Sequence, residues 1–113
     1  MDAIGFAPEL GALIVDGRKT LTYRLDSDLF PGDYVIARDT ATGLLIAHLL
    51  IRQRMHARFG VLPLDAPGHQ PYANRAEMSA AFSRYYERVI AADEPMTILS
   101  FRAEPNVRGD ASD

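Results

Sequence analysis

The segment Gly17-Arg18-Lys19-Thr20-Leu21-Thr22-Tyr23-Arg24 gathers the residues of this chain best equipped for chemistry. Lysine is a compact cation whose pKa falls when it is desolvated, so it can act as a base or nucleophile where arginine cannot. Eleven of the twelve basic residues are arginine, and the single lysine, Lys19, falls in this segment. Strand alternation from Thr20 to Leu25 sends Thr20, Thr22 and Arg24 to one side and Leu21, Tyr23 and Leu25 to the other. The spacing therefore predicts a lysine in a turn beside a strand that presents Thr22 and Arg24 together. The structural alternative is a solvated loop lysine.

The other candidates are more scattered. Between Thr40 and Leu64 there is no acidic residue, while Arg52, Arg54 and Arg58 give a local charge of +3. With His56 and Phe59 nearby, these arginines suit a phosphate backbone with one stacking ring, and Arg52 and Arg54 share a face if both lie in a strand. A solvated strand end is the alternative. His48 sits within an apolar run and reads as a core residue. The three histidines have no tight ligand spacing and the chain has no cysteine, so neither a metal site nor a cofactor is expected. There is no phosphate-binding glycine loop.

These residues need elements to position them. The chain has 113 residues, 48% hydrophobic and 24% charged, which fits one globular domain of about residues 1–103. Its net charge of −3 argues against coating nucleic acid by bulk charge. The longest apolar run, Leu44 to Ile51, is too short to span a membrane, and Asp2, Pro8 and Glu9 do not suit a signal peptide. A cytoplasmic protein is expected. Ala3 to Phe6 reads as a strand, Pro8 to Asp16 as a helix stopped by Gly17, and Thr20 to Leu25 as a half-buried strand. Pro31-Gly32-Asp33 is a turn. Tyr34 to Asp39 and Leu44 to about Arg54 form a hairpin. Residues 56–72, rich in proline and glycine, read as a long functional loop. Asn74 and Glu77 resemble a capping box, which gives Glu77 a structural role at the start of a helix. Met78, Phe82, Tyr85 and Val89 mark one face of that helix, ending near Ile90. Tyr85 is expected in the core, and Tyr86 either in the cleft or facing water. Met96 to Arg102 is the last strand, and residues 104–113 read as a frayed, acidic tail.

Taken in order, these motifs resemble the ASCH family (activating signal cointegrator homology), which shares the PUA-like barrel of RNA-modification proteins. The likeness runs from Phe6-Ala7-Pro8-Glu9-Leu10 with Leu13-Ile14, through Gly17, Lys19 and Arg24, to Pro31-Gly32-Asp33. It continues through Gly68-His69-Gln70-Pro71-Tyr72, Glu77-Met78 and Tyr85-Tyr86 to the closing strand, Ile98 to Phe101. The resemblance implies an α+β fold with a mixed, strongly curved PUA-like β-barrel and two main helices. It also implies a cleft around Lys19 that takes RNA, a nucleoside or a nucleotide, with Gly17, Arg24, His69, Gln70 and Tyr72 as binding residues. A bacterial branch of the family is similar to amidohydrolases that remove acyl groups from the exocyclic amine of cytidine. There Lys19 would be the base and Thr22 the nucleophile. The third position of that machinery is commonly glutamate and here is Gln70, which cannot shuttle a proton. His69, Tyr72 and Glu77 are the nearest substitutes. A metal-independent ribonuclease, with Lys19 acting on a ribose 2′-hydroxyl and Arg24 on the phosphorane, is a further alternative.

Overall fold

The computed structural model describes residues 2–104. Five strands form one mixed sheet: β1 (Ala3–Phe6), β2 (Leu21–Arg24), β3 (Tyr34–Asp39), β4 (Leu45–Arg58) and β5 (Pro95–Glu104). Their order is β1-β3-β4-β5-β2, with β1 parallel to β3 and the other pairs antiparallel. Two helices accompany the sheet: α1 (Gly11–Val15), which follows a 3₁₀ turn at Pro8–Leu10, and α2 (Arg75–Tyr86).

The alternation of β5 divides the interior in two. Leu99 and Phe101 face a cluster with Phe6, Leu10, Ile14, Val35, Leu49 and Ile51, under β1 and α1. Met96, with Ile98 against it, faces the other way, into a cluster with Tyr23, Phe59, Leu62, Met78 and Phe82, under α2. Two apolar faces on one sheet explain why β5 reads as a nearly continuous apolar run.

The expected elements are present, and several differ in extent. β4 runs on to Arg58, through residues that read as the start of a loop. β5 is long enough to pair with them, His56 opposite Thr97 and Arg58 opposite Pro95, so tertiary pairing overrides a weak local pattern. α2 stops at Tyr86 because Glu87 takes a left-handed conformation, φ 58°, and Val89 is left exposed. Glu104 belongs to β5, where its carboxylate accepts from Arg102 Nε at 2.7 Å. The rest of the expected tail, 105–113, lies outside the described residues. The Asn74 cap forms as read: Asn74 Oδ1 accepts from Glu77 N at 2.8 Å, and Glu77 Oε1 from Ala73 N at 2.9 Å.

The sheet is not a closed barrel. Its outer strands, β1 and β2, share no backbone ladder; the guanidinium of Arg24 crosses between them to Gly5 O at 2.7 Å. The arginines of β4 also differ from expectation. The register shifts between Ile51 and Gln53, which puts Arg52 on the side of Ser100 and turns Arg54 inward, opposite buried Leu99. Arg54 Nη1 donates to Ser27 O and Leu29 O, both at 2.8 Å, and its guanidinium lies 4.3 Å from the Phe30 ring centroid. Arg52 and Arg54 thus share no face, and Arg54 fastens the 25–33 loop to the sheet. His48 is half-buried, opposite Ile36 and Glu104. Arg54→Ala is expected to lower unfolding free energy by about 1–2 kcal/mol in urea titrations, because two partly buried carbonyls lose a charged donor. Arg58→Ala, on an exposed side chain, is expected to change it by less than about 0.5 kcal/mol.

Candidate functional site

The site is assembled by two backbone devices. Gly17 ends α1 at φ 82°, and the chain reverses so that Lys19 N donates to Leu13 O at 2.9 Å. Arg18 stays outside, paired with Asp16, while the Lys19 side chain turns inward and is 2% exposed. Gly68, at φ 85°, then brings in the long loop: its carbonyl accepts from both Thr20 N and Leu21 N, at 2.8 and 3.1 Å. A Cβ at Gly68 would overlap the Thr20 hydroxyl, so the loop docks this closely only with glycine there.

That docking sets Gln70 against Lys19. Lys19 Nζ donates to Gln70 Oε1 and to Leu21 O, both at 2.7 Å. Gln70 Nε2 donates to the Tyr72 hydroxyl at 3.3 Å, which fixes the orientation of the amide. His69 stacks on Tyr23, with centroids 4.2 Å apart and planes at 13°, and its Nδ1 lies 2.9 Å from Gln70 O. A carbonyl oxygen only accepts, so Nδ1 carries the proton and Nε2 keeps its lone pair. Along β2, Arg24 Nε donates to Thr22 Oγ1 at 3.2 Å, and the guanidinium lies 4.8 Å from the Phe6 ring centroid.

Lys19, Thr22, Arg24, His69 and Gln70 converge on one cavity of about 430 Å³, within the range of small-ligand sites. Gly5 to Ala7 of the β1 edge wall it on one side, and the C-terminal turn of α2, with Phe82 and residues 84–87, on the other. It lies where the sheet is left open. Tyr72 acts behind the wall, through Gln70. Gly17 lies outside, so its contribution is the turn that aims Lys19. Tyr85 was expected in the core; it is 38% exposed and lines the cavity mouth. Tyr86 also lines the cavity, and its hydroxyl accepts from Leu25 N at 3.1 Å. Glu77 is committed to the helix cap and does not line the cavity. Arg52 and Arg58 are exposed, and neither lines this cavity. The residues that sequence reasoning missed are Gly5 and Phe6, which receive Arg24, and Tyr23, which carries His69. Their roles depend on strand order, for which no local pattern existed.

Burial governs the electrostatics. Lys19 is lowered to about 7 by desolvation, with the Arg24 charge adding to it. His69 falls to about 4, by burial and then by Lys19, against the opposing carbonyl of Gln70. It is neutral at physiological pH and poorly suited to donate a proton. Burial also raises the Tyr72 phenol, with Tyr85 adding to it. Among the described residues no three His, Asp or Glu side chains cluster as metal ligands, and no helix is long and apolar enough to cross a membrane.

This geometry can be set beside known structures. An ASCH domain from Lactobacillus crispatus JV V101 superposes with a TM-score of 0.70 at 14% identity, over 90% of this chain and 78% of that one. The chain has the ASCH-domain fold. A protein of Enterococcus faecalis V583 gives a TM-score of 0.71 at 18% identity, with the same coverage of both chains. A ZmASCH variant from Zymomonas mobilis gives 0.62 at 19%, over 88% of this chain and 67% of that one. No family model and no curated protein matches the sequence. The ASCH likeness is thus one of architecture.

Stability should report the buried lysine. Between the folded value near 7 and the ordinary 10.5, the unfolded chain binds a proton that the folded chain does not. The wild type should therefore gain stability as pH rises from 7 to 9.5, by roughly 1.4 kcal/mol per unit from this group. In Lys19→Met this component of the rise should vanish, a difference readable from paired denaturant titrations across that pH range.

Proposed function

We propose that the ASCH-fold cavity binds a nucleoside or nucleotide, free or as a single unit of an RNA strand. The observation that carries this reading is the Lys19–Gln70 contact inside a cavity that also holds Thr22, Arg24 and His69. A nucleobase edge alternates carbonyl acceptors with amine donors, and this wall offers both. Lys19 Nζ has one direction left after Leu21 O and Gln70 Oε1, and His69 Nε2 is an acceptor. Tyr85 and Phe82 supply aromatic surface for the ring.

Calorimetric titration with cytidine, uridine, adenosine and guanosine tests the reading. One base should bind in preference, and Lys19→Met should weaken it by up to about tenfold, the loss of one hydrogen bond. Equal and negligible heats for all four nucleosides and for short single-stranded RNAs would overturn it.

A second reading, amide hydrolysis of an acylated cytidine, is favoured by the pKa of Lys19 near 7. A neutral Lys19 takes the Thr22 hydroxyl proton as Oγ1 attacks the acyl carbonyl, and returns it to the amine as the C–N bond breaks. Water then hydrolyses the acyl–threonine ester. Arg24 Nε, already on Thr22 Oγ1, stabilises charge beside the reacting atoms. Without a carboxylate at position 70, single-turnover release should be slow. Gln70→Glu adds a proton carrier and should raise it at least tenfold; Thr22→Val should abolish it in either background. Fast wild-type release that survives Thr22→Val would overturn this mechanism.

A further inference from the structure

Lys19 is buried and Arg24 half-buried, yet every partner they have is neutral. Lys19 is held by a backbone carbonyl and an amide; Arg24 is held by a backbone carbonyl, a hydroxyl and a ring face. Among the described residues, no carboxylate lies within ion-pair distance of either, and the three ion pairs present are all elsewhere. Buried cations are ordinarily paired, because desolvation disfavours an isolated charge. One buried and one half-buried cation on the wall of one open cavity constitute half of an ionic site.

The other charges around Lys19 do not supply the missing half. β2 contributes Arg24, and the docked loop contributes the neutral His69. β1 and the turn after it contribute no ionisable side chain to the cavity. At the mouth, α2 contributes Tyr85 and Tyr86, together with Arg84 and Glu87, whose opposite charges offset each other. On the far side of Lys19, a second groove is lined by Asp16, Arg52 and Arg102. Asp16 is paired with Arg18, and Arg102 with Glu104.

We infer that the cavity is completed by an anionic group of its ligand, a phosphate or another oxyanion, seated between Lys19 and Arg24, and that Lys19 takes up a proton as the anion binds. This deepens the proposed function by choosing the nucleotide over the nucleoside, and it rests on that reading for the base alone. With the empty-site lysine near 7, a proton missing from most molecules at pH 8 is restored when a negative charge arrives. Linkage then requires affinity for the anion to fall by up to about tenfold per pH unit above neutrality.

The test uses the full chain and three probes: cytidine, cytidine 5′-monophosphate and inorganic sulfate. The charges of all three are constant between pH 7.5 and 9. Calorimetry at pH 8, in buffers of different ionisation enthalpy, should show uptake of about 0.9 proton with sulfate and the monophosphate, and none with cytidine. The monophosphate should bind at least about tenfold tighter than cytidine at pH 7.5, and lose that advantage by pH 9. Lys19→Met should remove the uptake and flatten the pH dependence. If that variant does not fold, the wild-type uptake alone decides.

Binding of cytidine with no gain from the phosphate, or anion binding without proton uptake, overturns the inference and leaves the nucleoside reading standing. Proton-linked binding of sulfate and of every nucleoside monophosphate alike, with no binding of any nucleoside, upholds the inference and overturns the base-binding reading.

Discussion

One carbonyl holds the site together. Gly68 O accepts from Thr20 N and Leu21 N, and so fastens a loop nearly fifty residues away in sequence to the start of β2 and the residue before it. Lys19 lies just before this contact and Gln70 just after it, so their meeting follows from the docking of backbone on backbone. His69, between Gly68 and Gln70, is set on Tyr23 by the same contact. Glycine at 68 serves twice, by taking a left-handed conformation and by leaving room for the Thr20 hydroxyl.

Charge is divided sharply between surface and interior. The three ion pairs, Asp16–Arg18, Arg88–Glu94 and Arg102–Glu104, join residues close in sequence at the exposed surface, where such pairs contribute little. By contrast, buried Lys19 and half-buried Arg24 have only neutral partners. That arrangement costs stability, and it accounts for the depressed pKa of Lys19. The strain is concentrated on the cavity wall, the place where a ligand can relieve it.

Local patterning made much of this legible. Alternation at Thr22 and Arg24 correctly put both on one side of β2, and the Asn74–Glu77 spacing marked the start of α2. The glycine at 17 marked the end of α1. What escaped was non-local. The single extra residue at Arg52 reverses the alternation of β4 and separates Arg52 from Arg54, a change of register that no composition signals. The pairing of β4 beyond Arg54 needed the length of β5. The receiving end of Arg24, at Gly5 and Phe6, needed strand order, since β1 and β2 are the two ends of the sheet. Thr22, expected beside the cleft, lines it and is only 5% exposed, with Arg24 Nε on its hydroxyl.

The crossing of Arg24 from β2 to Gly5 gives the sheet a seam fastened by a side chain. A closed barrel has a circumference set by its strand count and stagger, and widening it breaks a ladder of backbone pairs. Here the first and last strands are joined by one bond from a guanidinium to a backbone carbonyl, and each keeps its own ladder to β3 or β5. The arginine that would meet an entering anion is thus also the side chain that ties the two edge strands together.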